Sequence, residues 1–191
     1  SARNQADLLT RSTAKPGDKI AVTGYLGAAA AGLQMLLKHL TLDAKTATTL
    51  KKAFRRPQPR VTEGQKLVDL GVKTAIDISD GLLADLRHIC TASHVGARIK
   101  AELVPVQSEV SANFGDNALA LALSGGEDYE LLFTAPAGIM EKVKAALPCP
   151  ATVIGEIEAG KAGEATVVDH RGQTINLPKA GWEHFTMGST K

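Results

Sequence analysis

The residues best suited to chemistry lie in Asp77-Ile-Ser-Asp-Gly81, where an apolar strand should turn into a helix. Alternation along that strand buries Ile76 and Ile78 and leaves Asp77 on the opposite face, with Asp80 following at the turn. Two carboxylates can therefore converge beside a helix N-terminus. Oxygen ligands of this kind suit magnesium, which is held by one or two carboxylates together with substrate phosphates. The plainer reading is that Ser79 or Asp80 only caps the helix by accepting its free N–H groups. From spacing alone capping is the commoner role, and the two roles are compatible.

A second motif is Ser124-Gly-Gly-Glu-Asp-Tyr-Glu130. Paired glycines let backbone approach a ligand, and Glu127 and Asp128 add charge just before an apolar strand. Its ordinary meaning is a tight turn flanked by solvated acids. Thr23-Gly-Tyr-Leu-Gly27 opens a helix and could hold an anion through free N–H groups. It matches neither G-x-x-x-x-G-K-[ST] nor G-x-G-x-x-G, so close helix–strand packing is the expected reason for its glycines. The run Lys51 to Arg60 holds five positive charges, either a solvated helix end or a phosphate or nucleic-acid patch. Its scarcity of aromatics counts against nucleic acid. The tail Gly181-Trp-Glu-His-Phe185 contains the only tryptophan, which could dock on the core or wall a pocket for a flat heterocycle. His88 and His94 are not spaced as a helical ligand pair, and no Ser/His/Asp triad can be argued.

The elements that must position these residues follow from hydrophobic period. Lys19–Thr23 reads as a buried strand, and the run from Gly27 to Leu40 as a helix. Leu42 to Arg55 forms a second helix, ended by Pro57 and Pro59, and Val61 to Leu70 a third. Lys73 to Ser79 is a strand, followed by an amphipathic helix carrying Leu82, Leu83, Leu86, Ile89 and Cys90 and ended by Gly96. Ala97 to Leu103 alternates like a half-buried strand, and Ala118 to Leu123 is a short apolar helix. Tyr129 to Thr134 is a strand, Gly138 to Leu147 a helix and Thr152 to Ile154 a strand. Ala165 to Leu177 is a hairpin turning at Asp169 to Gly172. This alternation predicts one domain of the α/β (α+β) class, a layered mixed sheet with helices.

Composition narrows the function. Over 191 residues, 22 Lys and Arg against 20 Asp and Glu leave a net charge of +2, which gives no general attraction to nucleic acid or acidic membranes. Aromatics at 4% are too few to grip bases mainly by stacking. Cys90 and Cys149 form no CxxC pair, excluding a disulfide scaffold or zinc ribbon. Ile20 to Leu37 is uncharged, but Thr23, Gly24, Gly27, Gly32 and Gln34 interrupt it, so strand, turn and helix are expected rather than a membrane span. Residues 1–10 read as a lead-in or tag remnant without a basic-then-apolar leader, so the cytoplasm is the expected location.

Together, Lys15-Pro-Gly-Asp-x-x-x-Val-Thr-Gly-x-x-Gly27, Pro57-x-Pro-Arg60, Asp77-Ile-Ser-Asp-Gly-Leu82, Ser124-Gly-Gly-Glu-Asp-Tyr-Glu-Leu131 and Gly181-Trp-x-His-Phe185 resemble the thiamine-monophosphate kinase family. That family falls in the superfamily of aminoimidazole-ribonucleotide synthetase. The resemblance implies conversion of thiamine monophosphate to thiamine diphosphate with ATP and Mg2+. Residues 11–191 would be the family's C-terminal domain, a layered α/β unit. The family's N-terminal domain, with an Asp-rich metal cluster, much of the nucleotide site and most of a homodimer contact, has no counterpart in this sequence. A fragment on its own is then expected to be inactive. Asp77 and Asp80 would be magnesium ligands, and Ser79 would contact the nucleotide. Glu127 would face the thiamine phosphate, Trp182 would line the pocket for its rings, and Asp128 and Phe185 are further substrate-binding candidates. No catalytic base is expected, because phosphoryl transfer to an ionised phosphate needs positioning and charge neutralisation. Two other readings compete: a sister ATP-dependent enzyme of the superfamily with another acceptor, and a non-catalytic module. The second would use residues 51–60 and bind nucleic acid with strong salt dependence.

Overall fold

A computed structural model describes residues 8–175. Its sheet has six strands: β1 (Lys19–Thr23), β2 (Thr74–Asp77), β3 (Gly96–Lys100), β4 (Leu131–Ala135), β5 (Ala151–Glu158) and β6 (Ala165–Val168). They lie in the order β2-β4-β1-β5-β3-β6. Every neighbouring pair is antiparallel except β3 with β6. The helices are α1 (Ala28–Leu37), α2 (Ala44–Arg55), α3 (Val61–Asp69), α4 (Leu82–Ser93), α5 (Ser108–Phe114), α6 (Asn117–Ser124) and α7 (Ala137–Ala146). The layered mixed sheet expected from the alternation of elements is the architecture observed.

Strand alternation decides which face each helix covers. Ile20 and Val22 of β1 and Leu132 of β4 point into the larger core, where α4 contributes Leu82, Leu86 and Ile89 and α6 contributes Leu123. Ala21, Phe133 and Ala135 point the other way, against Leu67 of α3 and Met140 and Val143 of α7. Each fully buried aliphatic chain contributes about 1.5–3 kcal/mol relative to exposure. A third cluster joins Ala28 and Ala31 of α1, Leu50 of α2, Val110 of α5 and Ala118 of α6. At the α1–α2 contact a Cβ on Gly32 would sit 2.2 Å from the Leu50 carbonyl oxygen, so only glycine permits that approach.

The uncharged run at residues 20–37 is divided between β1 and α1 as expected, and among the described residues no helix is long and apolar enough to cross a membrane. Four details differ from the sequence reading. Helix α4 ends at Ser93 with His94 in the left-handed region (φ 55), while Gly96 opens β3. Alternation in β3 stops at Lys100, where Ala101–Leu103 turns into a 3-10 helix. Strand β5 extends to Glu158, because Glu156 and Glu158 reach solvent and pair with Lys19 and Arg98. Helix α5 is new; Val110 is its one buried residue, so it carries almost no hydrophobic signal. The turn at 169–172 forms with the Asp169 carboxylate accepting from the Arg171 and Gln173 N–H groups, and Thr174 bridges back to Val168.

Candidate functional site

Strand β2 ends on Asp77 and α4 begins at Leu82, so residues 78–81 form a short loop at the end of the sheet. Ile78 is fully buried and anchors it, Ser79 is half-buried, and Asp77 and Asp80 are exposed. Neither Ser79 nor Asp80 caps the helix. The N-cap is Gly81, and no side chain bonds from that position. Capping runs in the reverse direction instead: the N–H groups of Ser79 and Asp80 donate to Asp85 Oδ2 at 3.0 and 3.1 Å. Asp85 is only 2% exposed. Burial pushes its pKa up, and the two N–H donors pull it back.

The Asp80 carboxylate is thereby left available. Its oxygens, those of Asp85 and the imidazole of His88 offer ligand atoms within 4.8 Å of one another. Asp77, Ser79, Asp80, Asp85 and His88 line one open cavity of about 710 Å³, opposite Thr10 and Arg11. Asp77 and Asp80, the exposed carboxylates on this open space, are oxygen donors that suit a hard, hydrated cation such as Mg2+.

The Ser124–Glu130 loop is laid against this one, backbone to backbone. Ile78 N–H donates to the Glu130 carbonyl at 2.8 Å, and Tyr129 N–H returns a 2.9 Å bond to the Ile78 carbonyl. Glu127 N–H donates to the Ser79 carbonyl at 2.9 Å. A Cβ on Gly126 would lie 2.4 Å from that same oxygen, and one on Gly81 would lie 2.9 Å from the Ser124 carbonyl. The paired glycines thus let the two motifs interlock. Glu127 (φ 70) and Tyr129 (φ 51) both occupy the left-handed region, an uncommon conformation that the surrounding hydrogen bonds hold in place. Glu127 is exposed, and its charge and hydrogen bond, then burial, and last the charges of Asp77 and Asp80, keep the Tyr129 phenol above its ordinary pKa. Asp77, Asp80 and Glu127 therefore share one acidic neighbourhood.

Asp128 and Glu130 turn to the other side. The N–H groups of Gly27 and Ala29 donate to Asp128 at 2.8 and 3.3 Å, capping α1 in place of a side chain from its own N-cap. Burial raises the Asp128 pKa to about 7 against the pull of those two bonds. Glu130 is gripped by Arg60, with Nε at 2.7 Å and Nη2 at 2.6 Å, and by the Thr23 hydroxyl at 2.6 Å. This bidentate pair holds the Arg60 guanidinium still more firmly protonated. A Cβ on Gly24 (φ +58) would fall 2.2 Å from Glu130 Oε1, and one on Gly27 would lie 3.1 Å from the Ala122 nitrogen. These glycines make room for a carboxylate and for α6, which corrects the expectation of helix–strand packing. Asp128, Glu130 and Arg60 border a smaller cavity of about 230 Å³ together with Lys52 and Arg56.

Of the residues singled out from sequence, Asp77, Ser79, Asp80 and Glu127 come together, whereas Asp128 faces the second cavity. Trp182 and Phe185 lie outside the described residues. Sequence reasoning passed over Asp85, set His88 aside for want of a ligand partner, gave Glu130 no role within its motif, and placed Arg60 in a basic run open to a solvated or an anion-binding reading. The available signal for the first two was Asp85 and His88 one turn apart on α4, directly after Asp80.

With fold and site in view, residues 15–168 match the family described as AIR synthase related protein, C-terminal domain, and the chain belongs to that family. Within it, the likeness is to thiamine-monophosphate kinases. The thiamine-monophosphate kinase of Escherichia coli (strain K12) is 46% identical over 182 residues, which are 93% of this chain and 55% of that protein. The crystal structure of thiamine-monophosphate kinase from Stenotrophomonas maltophilia K279a superposes with a TM-score of 0.78 at 35% identity, covering 90% of this chain and 55% of that one. The structure of AaThiL complexed with AMPPCP and TMP gives a TM-score of 0.76 at 32% identity, over 93% of this chain and 54% of that one. The chain spans about half the length of the curated relatives it matches.

Proposed function

We propose that this chain is the C-terminal domain of an ATP-dependent kinase that phosphorylates thiamine monophosphate to thiamine diphosphate. The observation that carries this reading is that Asp77, Ser79 and Asp80 line one open cavity without being engaged in helix capping. The likeness to thiamine-monophosphate kinases along 93% of the chain supplies the substrate. In this reading residues 11–191 form the domain, and the other half of the kinase contributes further metal ligands, much of the nucleotide site and most of a homodimer contact. The cytoplasm is the proposed location.

Asp77 and Asp80 would hold Mg2+, which when bound offsets the repulsion between two polyphosphate anions. Ser79, held by its N–H on Asp85, presents its side chain to the nucleotide from the same loop. Glu127 faces the acceptor from the neighbouring motif, fixed by its N–H on the Ser79 carbonyl. Trp182 and Phe185 complete the acceptor pocket in this proposal. The acceptor phosphate is already ionised near neutral pH, so its oxygen would attack the γ-phosphorus in line, the bond from that phosphorus to the β-phosphate oxygen breaking to release ADP, without a protein base. Fixed geometry is the main contribution of this half of the protein.

The test is an assay of the full-length polypeptide with ATP, Mg2+ and thiamine monophosphate, beside a panel of other acceptors. Thiamine diphosphate is the expected product, with negligible turnover by the 191-residue chain alone. Preference for another acceptor would replace the substrate assignment, and robust turnover by the short chain would remove the need for its partner half.

A further inference from the structure

We propose that Asp85 is a positioning residue that holds the Asp77–Asp80 loop in the shape that presents its carboxylates, an inference that rests on the kinase reading above. Three backbone hydrogen bonds tie Ile78 and Ser79 to the loop at 127–130. They leave the Ser79 and Asp80 N–H groups to be satisfied from elsewhere. Both donate to Asp85 Oδ2, and among the described residues no other side chain bonds the backbone of this loop. Asp85 is therefore the one side chain, among the described residues, that fixes the Ser79–Asp80 half of the loop.

That group is itself well fixed. Asp85 sits between Leu82 and Leu86, both fully buried in the main core, so its helix cannot rotate away. Its own N–H donates to the Gly81 carbonyl at 3.0 Å, closing the first turn of α4 around the loop. Gly81 has φ 112, open to glycine alone, so the chain between Asp80 and Asp85 has no slack that another residue could take up. Side chains that hold primary ligands in this way alter metal affinity or activity by about 10–100-fold when removed. Asp85 Oδ2 is occupied by two donors, which assigns it to holding the loop and leaves Asp80 to face the cavity.

The experiment compares wild type, Asp85→Ala, Asp85→Asn and Asp80→Asn in the full-length polypeptide. Amide hydrogen exchange of the 78–81 segment should rise about 10-fold or more in Asp85→Ala while β1 and β4 keep their protection. Mn2+ binding read by electron paramagnetic resonance should weaken about 10-fold in Asp85→Ala, and kcat should fall by about 10–100-fold at near-constant KM for the acceptor. Asp85→Asn keeps an acceptor oxygen and should recover most of each effect, whereas Asp80→Asn should lose Mn2+ without raising exchange. Unchanged local exchange in a folded Asp85→Ala protein overturns the proposal. So does an Asp85→Asn variant that loses Mn2+ as completely as Asp80→Asn, because Asp85 would then be a ligand itself. If the wild type makes no thiamine diphosphate, the kinase reading fails, while the exchange and Mn2+ arms still decide the role of Asp85.

Discussion

On the α4 side of the 124–130 loop, Asp77 and Asp80 are exposed and form no ion pair among the described residues. On the α1 side, Glu130 is clasped by Arg60 and Thr23, and Asp128 by two backbone N–H groups. The same residue type thus does two kinds of work a few residues apart. Glu130 and Asp128 each accept hydrogen bonds from other elements of the protein and so join those elements together. Asp77, Asp80 and Glu127 form no ion pair among the described residues, with Arg11 lining the same cavity as the two aspartates, and they stay open to an arriving cation. A carboxylate's role here is set by whether the chain has already satisfied it.

That contrast can be broken at its strongest point first. Arg60→Met should cost about 3–5 kcal/mol, because it strands the Glu130 charge in a buried site. Urea unfolding that shows only the loss typical of an exposed ion pair would mean the clasp is not structural. Asp80→Asn in the full-length polypeptide should do the opposite, lowering the proposed kinase turnover by about 10²–10³-fold while leaving the unfolding midpoint unchanged or higher. Steady-state kinetics beside a melting curve checks both halves of that statement.

Gly126→Ala tests the interlock that separates the two sides, since its Cβ would stand 2.4 Å from the Ser79 carbonyl oxygen. Overpacking of this kind costs about 1–3 kcal/mol, and turnover should fall with it because the loop bearing Ser79 must move. A fully active, fully stable Gly126→Ala protein would show the contact to be dispensable.

The smallest effect concerns pH. The Asp128 pKa is raised from 3.8 to about 7, so the folded chain binds this proton more tightly than the unfolded one. Its stabilising contribution is complete below the unfolded value and is lost as pH rises through the folded one. Wild type should therefore lose more stability than Asp128→Asn between about pH 4 and about pH 7, by chemical denaturation at each pH. Asp128→Ala, which removes the cap on α1, should lose about 1 kcal/mol. Parallel pH curves for wild type and Asp128→Asn would show that Asp128 is not perturbed.

Much of this was legible in the sequence where the signal is local. The strand–turn–helix at 73–90 and the position of Asp77 and Asp80 follow from alternation and period. Asp85 was hidden because an acid in the first turn of an amphipathic helix is ordinarily solvated, and nothing local says that this one turns inward. Arg60 and Glu130 pair across the chain, and no short-range pattern reports such a contact. The glycines of both motifs were recognised as sites of close approach, but which backbone approaches them is a tertiary fact.

The strand order has a consequence for how the protein is made. No strand of this sheet pairs with the next strand along the chain: β1 lies between β4 and β5, and β2 closes on β4. Such non-local pairing slows folding, because loop-closure entropy must be met before the strand contacts reward it. The loops at 78–81 and 124–130 meet only when β2 and β4 take register, with Asp77 opposite Leu131. A nascent chain that has emerged only as far as α4 already carries Asp77, Asp80 and Asp85 but has no surface to lay them against. Assembly of the candidate site and the pairing of β2 with β4 are therefore the same event.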